Sequence, residues 1–351
     1  MPGPIAHFRI LMETYQSLLT SQALQAGDEN IFKAVPTKSN TLFSSGSSKD
    51  QGISQFAYLG AVFPDVPYTN EEAIGFAADM FHYNRSSTFA IKLLDHAKGK
   101  KTGSEMRNII VAFVLGFISH IAGDIVCHPY INTIAGAYWN QGVPLIDTSP
   151  TKVQMHMMTE VHQDSWLASN YFGLTNLSTT GASKSWSDFL NDLSLGRLVM
   201  LRKKQTSELF EEICRCFSEV YGRGMNLDSL WKAGNNYFEL LDVGYDTAMD
   251  PLPDNPTEVL VNYDHRRNDY LFYLSKAQDL SKALCKKALD YNNGGQKEKD
   301  QLIKYLKDWN LDTGYCINVY ALPSPPRTQI KSIHIRYEHS WCHNYGRYDL
   351  T

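Results

Sequence analysis

The sequence predicts an all-α fold, a bundle of several helices, from three observations. Apolar side chains recur at steps of three and four near the amino end, at Phe8, Leu11, Met12, Tyr15, Leu18 and Leu19. A long apolar run from Ile109 to Ile118 leads into polar residues at helical spacing. The stretches from about 185 to 250 and from 268 to 308 repeat the helical pattern.

The composition limits the classes of function. The chain has 351 residues, of which 43% are hydrophobic and 20% are charged, so it can bury a substantial core in one large domain or two. The formal net charge is −4, which argues against a nucleic-acid partner and against binding to an anionic membrane surface. The six cysteines are too few and too scattered for a disulfide scaffold, so we interpret them mostly as free core thiols.

The first helix is predicted within residues 1–26, and His7 lies at its start. A polar segment rich in Ser, Lys and Gly follows over residues 27–54 and predicts a loop. Asp65 then lies between two prolines in AVFPDVP, which impose an irregular backbone that can aim a carboxylate. Taken alone, Asp65 would be interpreted as a helix-capping or turn residue.

Residues 71–97 are predicted to be helical and carry His82. Taken alone, His82 is more typical of a core or surface histidine than of a metal ligand. The basic stretch KGKKTGSEMR after it predicts a solvated turn before the next helix.

The most informative stretch, FISHIAGDIVCHPY, holds His120, Asp124 and His128. Side chains four residues apart lie on one helix face, about 6 Å apart along the axis, so two neighbours could bind one ion. All three span about 12 Å, which is too far for one ion. Pro129 predicts that the helix ends at His128 and turns this side chain away. Unpaired His and Asp side chains are costly to bury, so we favour a site that holds at least two ions over a polar stripe.

A second pair at the four-residue step, His156 and Glu160 in HMMTE, follows a predicted loop over residues 131–151. This spacing again suits two side chains that close on one metal ion. His162 and Asp164 come shortly afterwards. They could hydrogen-bond to the metal ligands or lie at the surface, and we interpret both as surface groups.

The prolines of PLPDNPT, residues 251–257, predict a connector. We therefore predict a helical domain over residues 1–250 and a helical extension with an aromatic tail, packed on the domain, over residues 251–351. Within the tail, the alternation in IKSIHIRY predicts a small β element near the end of the chain.

Together these features resemble the zinc-dependent phospholipase C family, and within it the catalytic domain of the glycosylphosphatidylinositol-specific phospholipases D. The matching features are an early histidine before a helix (AHFRI), an aspartate in a proline-flanked loop (GAVFPDVPY), a following histidine (FHYNRSSTF), the SHIAGDIVCH helix, and HMMTE. They occur in the family's order over residues 7 to 160. The resemblance implies a helical bundle with a metal cluster in its core.

The resemblance also implies two to three zinc ions, held by the side chains of His7, Asp65, His82, His120, Asp124, His128, His156 and Glu160. Asp65, His82 and His120 would hold the first ion. Asp124 would link that ion to a second one that His7 also holds. The remaining three residues would form the last site.

Two features depart from the secreted bacterial members of that family. Those members have five residues between the helix aspartate and the next histidine, whereas Asp124 and His128 are separated by three, as in the phospholipase D branch. They also use an N-terminal tryptophan as a metal ligand. This chain begins Met1-Pro2, so an exposed Pro2 or a water molecule would take that position.

These residues predict a zinc-dependent phosphodiesterase that acts on a phospholipid or a small phosphodiester through a zinc-bound hydroxide. Asp65 would bind zinc and also accept the proton of the attacking water. Two alternatives stay open: a single-strand nuclease or nucleotidase of the same fold, and a non-catalytic zinc-binding interaction protein. Transient contact with a membrane surface is compatible with this prediction, no nucleic-acid partner is expected, and the oligomeric state is left open.

The first residues, MPGPIAHFRILMETYQ, do not have the pattern of a signal peptide, so we expect a cytoplasmic protein as synthesised, with export by a non-classical route as the alternative. The apolar run up to Ile118 is about half the length of a membrane span, and His120 follows at once. It therefore predicts a buried helix rather than a transmembrane one.

Overall fold

The computed structural model describes residues 3–20, 31, 53–134, 156, 159–164, 166–167, 171, 203–241, 263–311, 315–317 and 337–340. Its helices with defined bounds are α1 (Pro4–Thr20), α2 (Ser54–Val62), a 3-10 helix (Phe63–Asn70), α3 (Glu71–Tyr83), α4 (Ser86–Lys98), α5 (Glu105–Ile134), α6 (Lys203–Tyr221), α7 (Leu227–Glu239), α8 (Tyr263–Asn293) and α9 (Gln296–Tyr305). Residues 156 and 159–164, called here the His156 segment, are also helical. The predicted all-α fold is confirmed.

The centre of the fold is α5, which packs against α2 and α8, and also contacts α1, α4 and α6. It is long and apolar enough to cross a membrane by length and composition, but the apolar stretch within Glu105–Ile131 is entirely buried inside the protein. A helix that is apolar all round is typical of a core helix surrounded by others. The chain therefore uses this helix as the scaffold from which the candidate site is built.

Two glycines let α2 approach α5 closely. A Cβ atom on Gly116 of α5 would lie 1.8 Å from the carbonyl oxygen of Ala57, and one on Gly60 of α2 would lie 2.0 Å from that of Phe113. Because real Cβ atoms do not approach backbone so closely, both positions need glycine for this contact. The contact brings the carboxyl end of α2 next to the polar residues of α5.

The segment from 63 to 98 differs from the prediction in two ways. The proline-flanked stretch is a 3-10 helix with Pro64 at its start and Pro67 inside it, rather than a loop. The predicted single helix over residues 71–97 is two helices, because the backbone breaks after α3 and Arg85 adopts a left-handed conformation with φ of 51°. The guanidinium of Arg85 donates to the carbonyl oxygen of Val220, 2.8 Å away, which holds the break against α6.

The carboxyl-terminal helices pack directly on the amino-terminal ones. Helix α8 lies against α5 and α1, and Thr14 Oγ1 of α1 donates to Ser281 Oγ of α8 at 2.8 Å in the buried interface. The division into residues 1–250 and 251–351 stays a prediction.

A small antiparallel sheet follows α9, in the order β1 (Trp309–Asn310), β2 (Tyr315–Ile317) and β3 (Tyr337–Ser340). Trp309 pairs with Cys316, and Cys316 pairs with His339. The predicted small β element is therefore present, although Tyr337 is the one residue of IKSIHIRY within the described strands. The cysteines that the structure describes away from this sheet, Cys127, Cys214, Cys216 and Cys285, are free thiols.

The predicted connector over residues 251–257 and most of the predicted loops over 27–54 and 131–151 lie outside the described residues.

Candidate metal centre

His7 enters the core from the first turns of α1 and is completely buried. Its helix is held by Asp164, whose two carboxylate oxygens accept from the backbone N–H groups of Ile5 and Ala6 at 2.9 and 3.0 Å. The first N–H groups of a helix have no partner within the helix, so an anionic oxygen there stabilises the helix start. Asp164 is also completely buried, so its interpretation as a surface group was wrong.

Asp65 and His82 approach the same point from neighbouring elements. Asp65 lies in the first turn of the 3-10 helix, and His82 lies in the last turn of α3. His82 Nε2 lies 3.2 Å from Asp65 Oδ1, while the Nδ1–H of His82 donates to the carbonyl oxygen of Ala78 at 2.8 Å. Because a carbonyl can only accept, this bond places the proton on Nδ1 and directs Nε2 toward the carboxylate.

His120 and Asp124 lie one turn apart on α5 and complete this group. The Nδ1–H of His120 donates to the carbonyl oxygen of Ala61 at 2.8 Å, which the close contact between α2 and α5 brings within reach. His120 Nε2 therefore faces Asp124 Oδ2 at 3.0 Å. Asp124 also lies 3.6 Å from His82 Nε2 and, through its other oxygen, 3.3 Å from His7 Nε2.

These five residues form two overlapping groups that share His120. One group is His7, His120 and Asp124, and the other is Asp65, His82 and His120; within each group the potential ligand atoms lie within 4.8 Å of one another. The imidazole rings of His7 and His120 are stacked, with centroids 4.0 Å apart. The sequence prediction that these residues lie together is consistent with this geometry, and their roles as ligands stay proposals.

A third group lies further along α5, where His128 meets His156 and Glu160. His156 Nε2 lies 2.6 Å from Glu160 Oε1, and His128 Nε2 lies 3.9 Å from the same oxygen. The Nδ1–H of His128 donates to the carbonyl oxygen of Leu311 at 2.8 Å, so this histidine has the same proton placement as His82 and His120.

The prediction that α5 ends at His128 was wrong, because the helix continues through Pro129 to Ile134. A proline inside a helix costs roughly 3 kcal/mol or more. Burial of Tyr130 and Ile131 and the bond from His128 to Leu311 offset that cost. His128 is separated from His120 by the rise of eight helical residues, about 12 Å, rather than by a change in backbone direction.

The donor sets fit divalent metal ions, and zinc in particular. Two ligands about 2.0–2.1 Å from a tetrahedral zinc ion lie roughly 3.3 Å apart, and the distances from His120, His82 and His7 to Asp124 are 3.0, 3.6 and 3.3 Å. In the first two contacts two lone pairs face each other, because Nδ1 already carries the proton. A cation between them removes this repulsion.

Buried atoms in the same group lead to the same conclusion. Among the described residues, His7 Nδ1 and Nε2, His120 Nε2, Asp65 Oδ1 and both oxygens of Asp124 are buried without a hydrogen-bond partner of acceptable geometry. Buried polar atoms are normally satisfied, and an unpaired buried carboxylate is especially costly. Metal binding through the Nε2 atoms and the carboxylate oxygens satisfies all of these atoms except His7 Nδ1.

The protonation states also suit a metal. Burial lowers the pKa of His7 and lowers that of His128 well below its usual range, so both favour the neutral form. Burial raises the pKa of the Asp124 carboxyl, but His120 and His128 outweigh this effect and bring the pKa well below its usual range. Neutral imidazole and ionised carboxylate are the forms that bind zinc.

Comparison with known families decides the identity of the chain. The sequence matches the zinc-dependent phospholipase C family over residues 30–212, just over half of its length. The chain belongs to the zinc-dependent phospholipase C family. No curated protein and no solved structure gives a significant match. Membership supports a zinc-dependent, phospholipid-hydrolysing function and a lipid or phosphodiester substrate.

In this member of the phospholipase C family, the three groups differ in their access to solvent. The side chains of Asp124, His7 and His120 are fully buried, whereas those of Asp65, His156 and Glu160 are 7, 8 and 12% exposed. Asp65, His156 and Glu160 are therefore less shielded from solvent than the three fully buried residues.

Sequence reasoning did not identify the groups that orient the candidate metal ligands of this phospholipase C family member. Ala61 and Leu311 act through backbone carbonyl oxygens, which leave no signal in the sequence. Asp164 gave a weak signal, an acid close to HMMTE, but its partners are 158 and 159 residues away. His162, the other predicted surface group, is half-buried, and burial lowers its pKa.

Proposed function

We propose that this protein hydrolyses a phosphodiester bond of a phospholipid, using two to three zinc ions held by the three groups of the candidate centre. One observation carries the proposal. Three histidines each donate the Nδ1 proton to a backbone carbonyl oxygen, which directs their Nε2 atoms toward carboxylates. In zinc enzymes, a hydrogen bond from the ring nitrogen that does not bind the metal orients the histidine ligand. Family membership independently supports the same chemistry.

We assign the ligands as follows. Asp65, His82 and His120 hold one ion, Asp124 links it to a second ion with His7, and the third group, His128 with His156 and Glu160, holds the last ion. The short distances to Asp124 support its central role, because both of its oxygens lie near imidazole nitrogens of different elements.

Zinc in such a site would lower the pKa of a bound water and polarise the phosphoryl oxygens of the substrate. Asp65 is the residue placed to take the proton of that water, because it belongs to the first group and yet keeps contact with solvent. As the water oxygen bonds to phosphorus, its proton passes to the Asp65 carboxylate. The ester bond to the leaving oxygen would then break, and that oxygen would take up the proton that Asp65 had accepted, which returns Asp65 to its ionised form.

The charge of the protein favours a substrate with a neutral headgroup. The net charge is −4, so long-range attraction of an anionic lipid surface is not expected. The scissile bond of a phospholipid lies at the headgroup level of a membrane, so catalysis requires transient contact with that surface.

The test is turnover of a chromogenic choline phosphodiester and of neutral phospholipid vesicles by the zinc-loaded protein. We expect activity that chelation abolishes and zinc restores. The Asp65→Asn variant should lose about 10²- to 10⁴-fold in turnover, the usual contribution of a general base, while it keeps most of its zinc. Asp290→Asn, which changes a partly exposed carboxylate on α8, is the matched control.

Each remaining result has a defined meaning. Normal turnover by Asp65→Asn would remove this residue from the mechanism. Hydrolysis of single-stranded DNA in preference to both diesters would replace the proposal with a nuclease. Full zinc content without hydrolysis of any diester would make the protein a non-catalytic zinc-binding member of the family.

A further inference from the structure

One short segment beyond the helices contacts residues of two candidate zinc groups. Residues 307–311, called here the clamp segment, follow α9 and include β1. The backbone N–H of Leu311 donates to the carbonyl oxygen of His82 at 2.8 Å, and the carbonyl oxygen of Leu311 accepts from His128 Nδ1 at 2.8 Å. A single residue thus joins the first group to the third.

Both contacts satisfy groups that need a partner. His82 lies in the last turn of α3, where backbone carbonyl oxygens receive no N–H donor from within the helix. The N–H of Leu311 supplies that donor to the carbonyl oxygen of His82. His128 needs an acceptor for its Nδ1 proton if its Nε2 is to bind metal. Leu311 is completely buried, which keeps water from competing for either bond.

The clamp segment is itself anchored on the start of α4. Asp308 Oδ1 accepts from the backbone N–H groups of Ser87 and Thr88 at 3.0 and 2.9 Å, and Asp308 Oδ2 accepts from Thr88 Oγ1 at 2.8 Å. The hydroxyl of Ser87 donates to the carbonyl oxygen of Lys307 at 2.6 Å. Asp308 thus caps α4, which has no cap from its own N-cap side chain.

The large side chain next to Asp308 is buried as well. Trp309 is 1% exposed and lies between the anchored end of the clamp segment and Leu311. The segment is therefore fixed by hydrogen bonds at its start, by burial in its middle, and by the two ligand contacts at its end. Its backbone has little freedom to shift relative to α3, α4 and α5.

We infer that the clamp segment is a positioning element of the zinc centre, which fixes the His128 tautomer and the backbone of His82 together. It lies about 100 residues beyond the family match, which ends at residue 212. Residues 307–311 therefore belong to the functional unit although they lie in the predicted extension. The inference rests on the zinc binding of the proposed function, and not on the identity of the substrate.

The test uses the full-length, zinc-loaded protein and measures the rate of zinc release to a chromogenic chelator. Thr88→Val removes one hydroxyl bond to Asp308 with almost no change in shape, and Thr88→Ser keeps that bond. Asp308→Asn weakens the three bonds that Asp308 accepts from Ser87 and Thr88, and Asp300→Asn changes an exposed carboxylate on α9 as the control. We expect release to become about 10-fold faster or more in Asp308→Asn, several-fold faster in Thr88→Val, and unchanged in Thr88→Ser and Asp300→Asn.

A second readout follows the histidine directly. In protein labelled with ¹⁵N-histidine, the Nδ1 proton of His128 should exchange slowly in the wild type and faster in Asp308→Asn. A segment that serves stability alone would lower the melting temperature and leave both the release rate and this proton unchanged. That result would overturn the inference, as would wild-type release in a folded Thr88→Val.

The variants also separate the two proposals. If Asp308→Asn does not fold, Thr88→Val compared with Thr88→Ser decides the matter. If the wild type holds no zinc, the proposed function fails, and the clamp inference fails with it. If the wild type holds zinc, and Thr88→Val and Thr88→Ser release it at the same rate, the clamp inference alone fails.

Discussion

Replacement of Asp124 by Asn perturbs the two overlapping groups at the residue that their three histidines face. The two side chains have nearly the same shape, so the change removes charge and one acceptor oxygen while the volume stays constant. Asp124 lies within 3.0–3.6 Å of three imidazole nitrogens, from His7, His82 and His120. Asp65 and Asp124 are the two negatively charged residues among the ligands assigned to the first two zinc ions.

The size of the effect follows from burial. Removing one partner of a buried charge pair costs about 3–5 kcal/mol, because the other charge is left uncompensated. At about 1.4 kcal/mol per factor of ten, zinc binding at these positions should weaken by roughly 10²- to 10³-fold or more. The variant should therefore lose up to two zinc ions per chain and keep the ion of the third group.

The assay is zinc titration of the chelated protein in competition with a metal indicator, combined with elemental analysis. Glu160→Gln, which alters the third group, should instead lose one ion, and Asp290→Asn should match the wild type. If Asp124→Asn retained its full zinc content with wild-type affinity, Asp124 would not be the shared ligand and the assignment would be refuted.

Three further predictions concern contacts outside the candidate ligands. Gly116→Ala should lower the free energy of unfolding by about 1–3 kcal/mol or more, because its Cβ would meet the Ala57 carbonyl at 1.8 Å; an unchanged thermal midpoint would contradict this contact. Asp164→Ala should cost about 1 kcal/mol in chemical denaturation and release the zinc that His7 holds more easily, whereas wild-type release would remove its positioning role. Burial raises the pKa of Glu212, but its hydrogen bonds with basic side chains outweigh this and bring it from 4.5 to about 2, so the carboxylate stabilises the fold above pH 4.5 and loses this effect as the pH falls toward 2. The melting temperature of Glu212→Gln should therefore lie below that of the wild type at neutral pH, and the difference should shrink in this acid range; a difference independent of pH would contradict it.

Local sequence patterns predicted the helical character of the described segments and the closeness of the histidine and acid side chains four residues apart on them. The four-residue step from His120 to Asp124 put both on one face of α5, where His120 Nε2 and Asp124 Oδ2 lie 3.0 Å apart. Such pairs are predictable because helix geometry alone places them.

Long-range contacts decided what the patterns could not. Pro129 favoured a helix end at His128, but tertiary packing kept the helix intact. No glycine or proline at Arg85 indicates the break between α3 and α4. The break depends on contacts with Val220 and Asp308, which come from distant parts of the chain. The contribution of Leu311 is made by backbone atoms, which every residue has, so no residue type could indicate it.

The most direct measurement of the central claim is the zinc content of protein purified without chelator, compared with that of His120→Ala. His120 belongs to both overlapping groups, so its loss should affect more than one ligand set. The proposed centre predicts two to three zinc ions per chain in the wild type and at least one fewer in the variant. Zero or one zinc in the wild type, or an equal content in both proteins, would contradict the proposed centre.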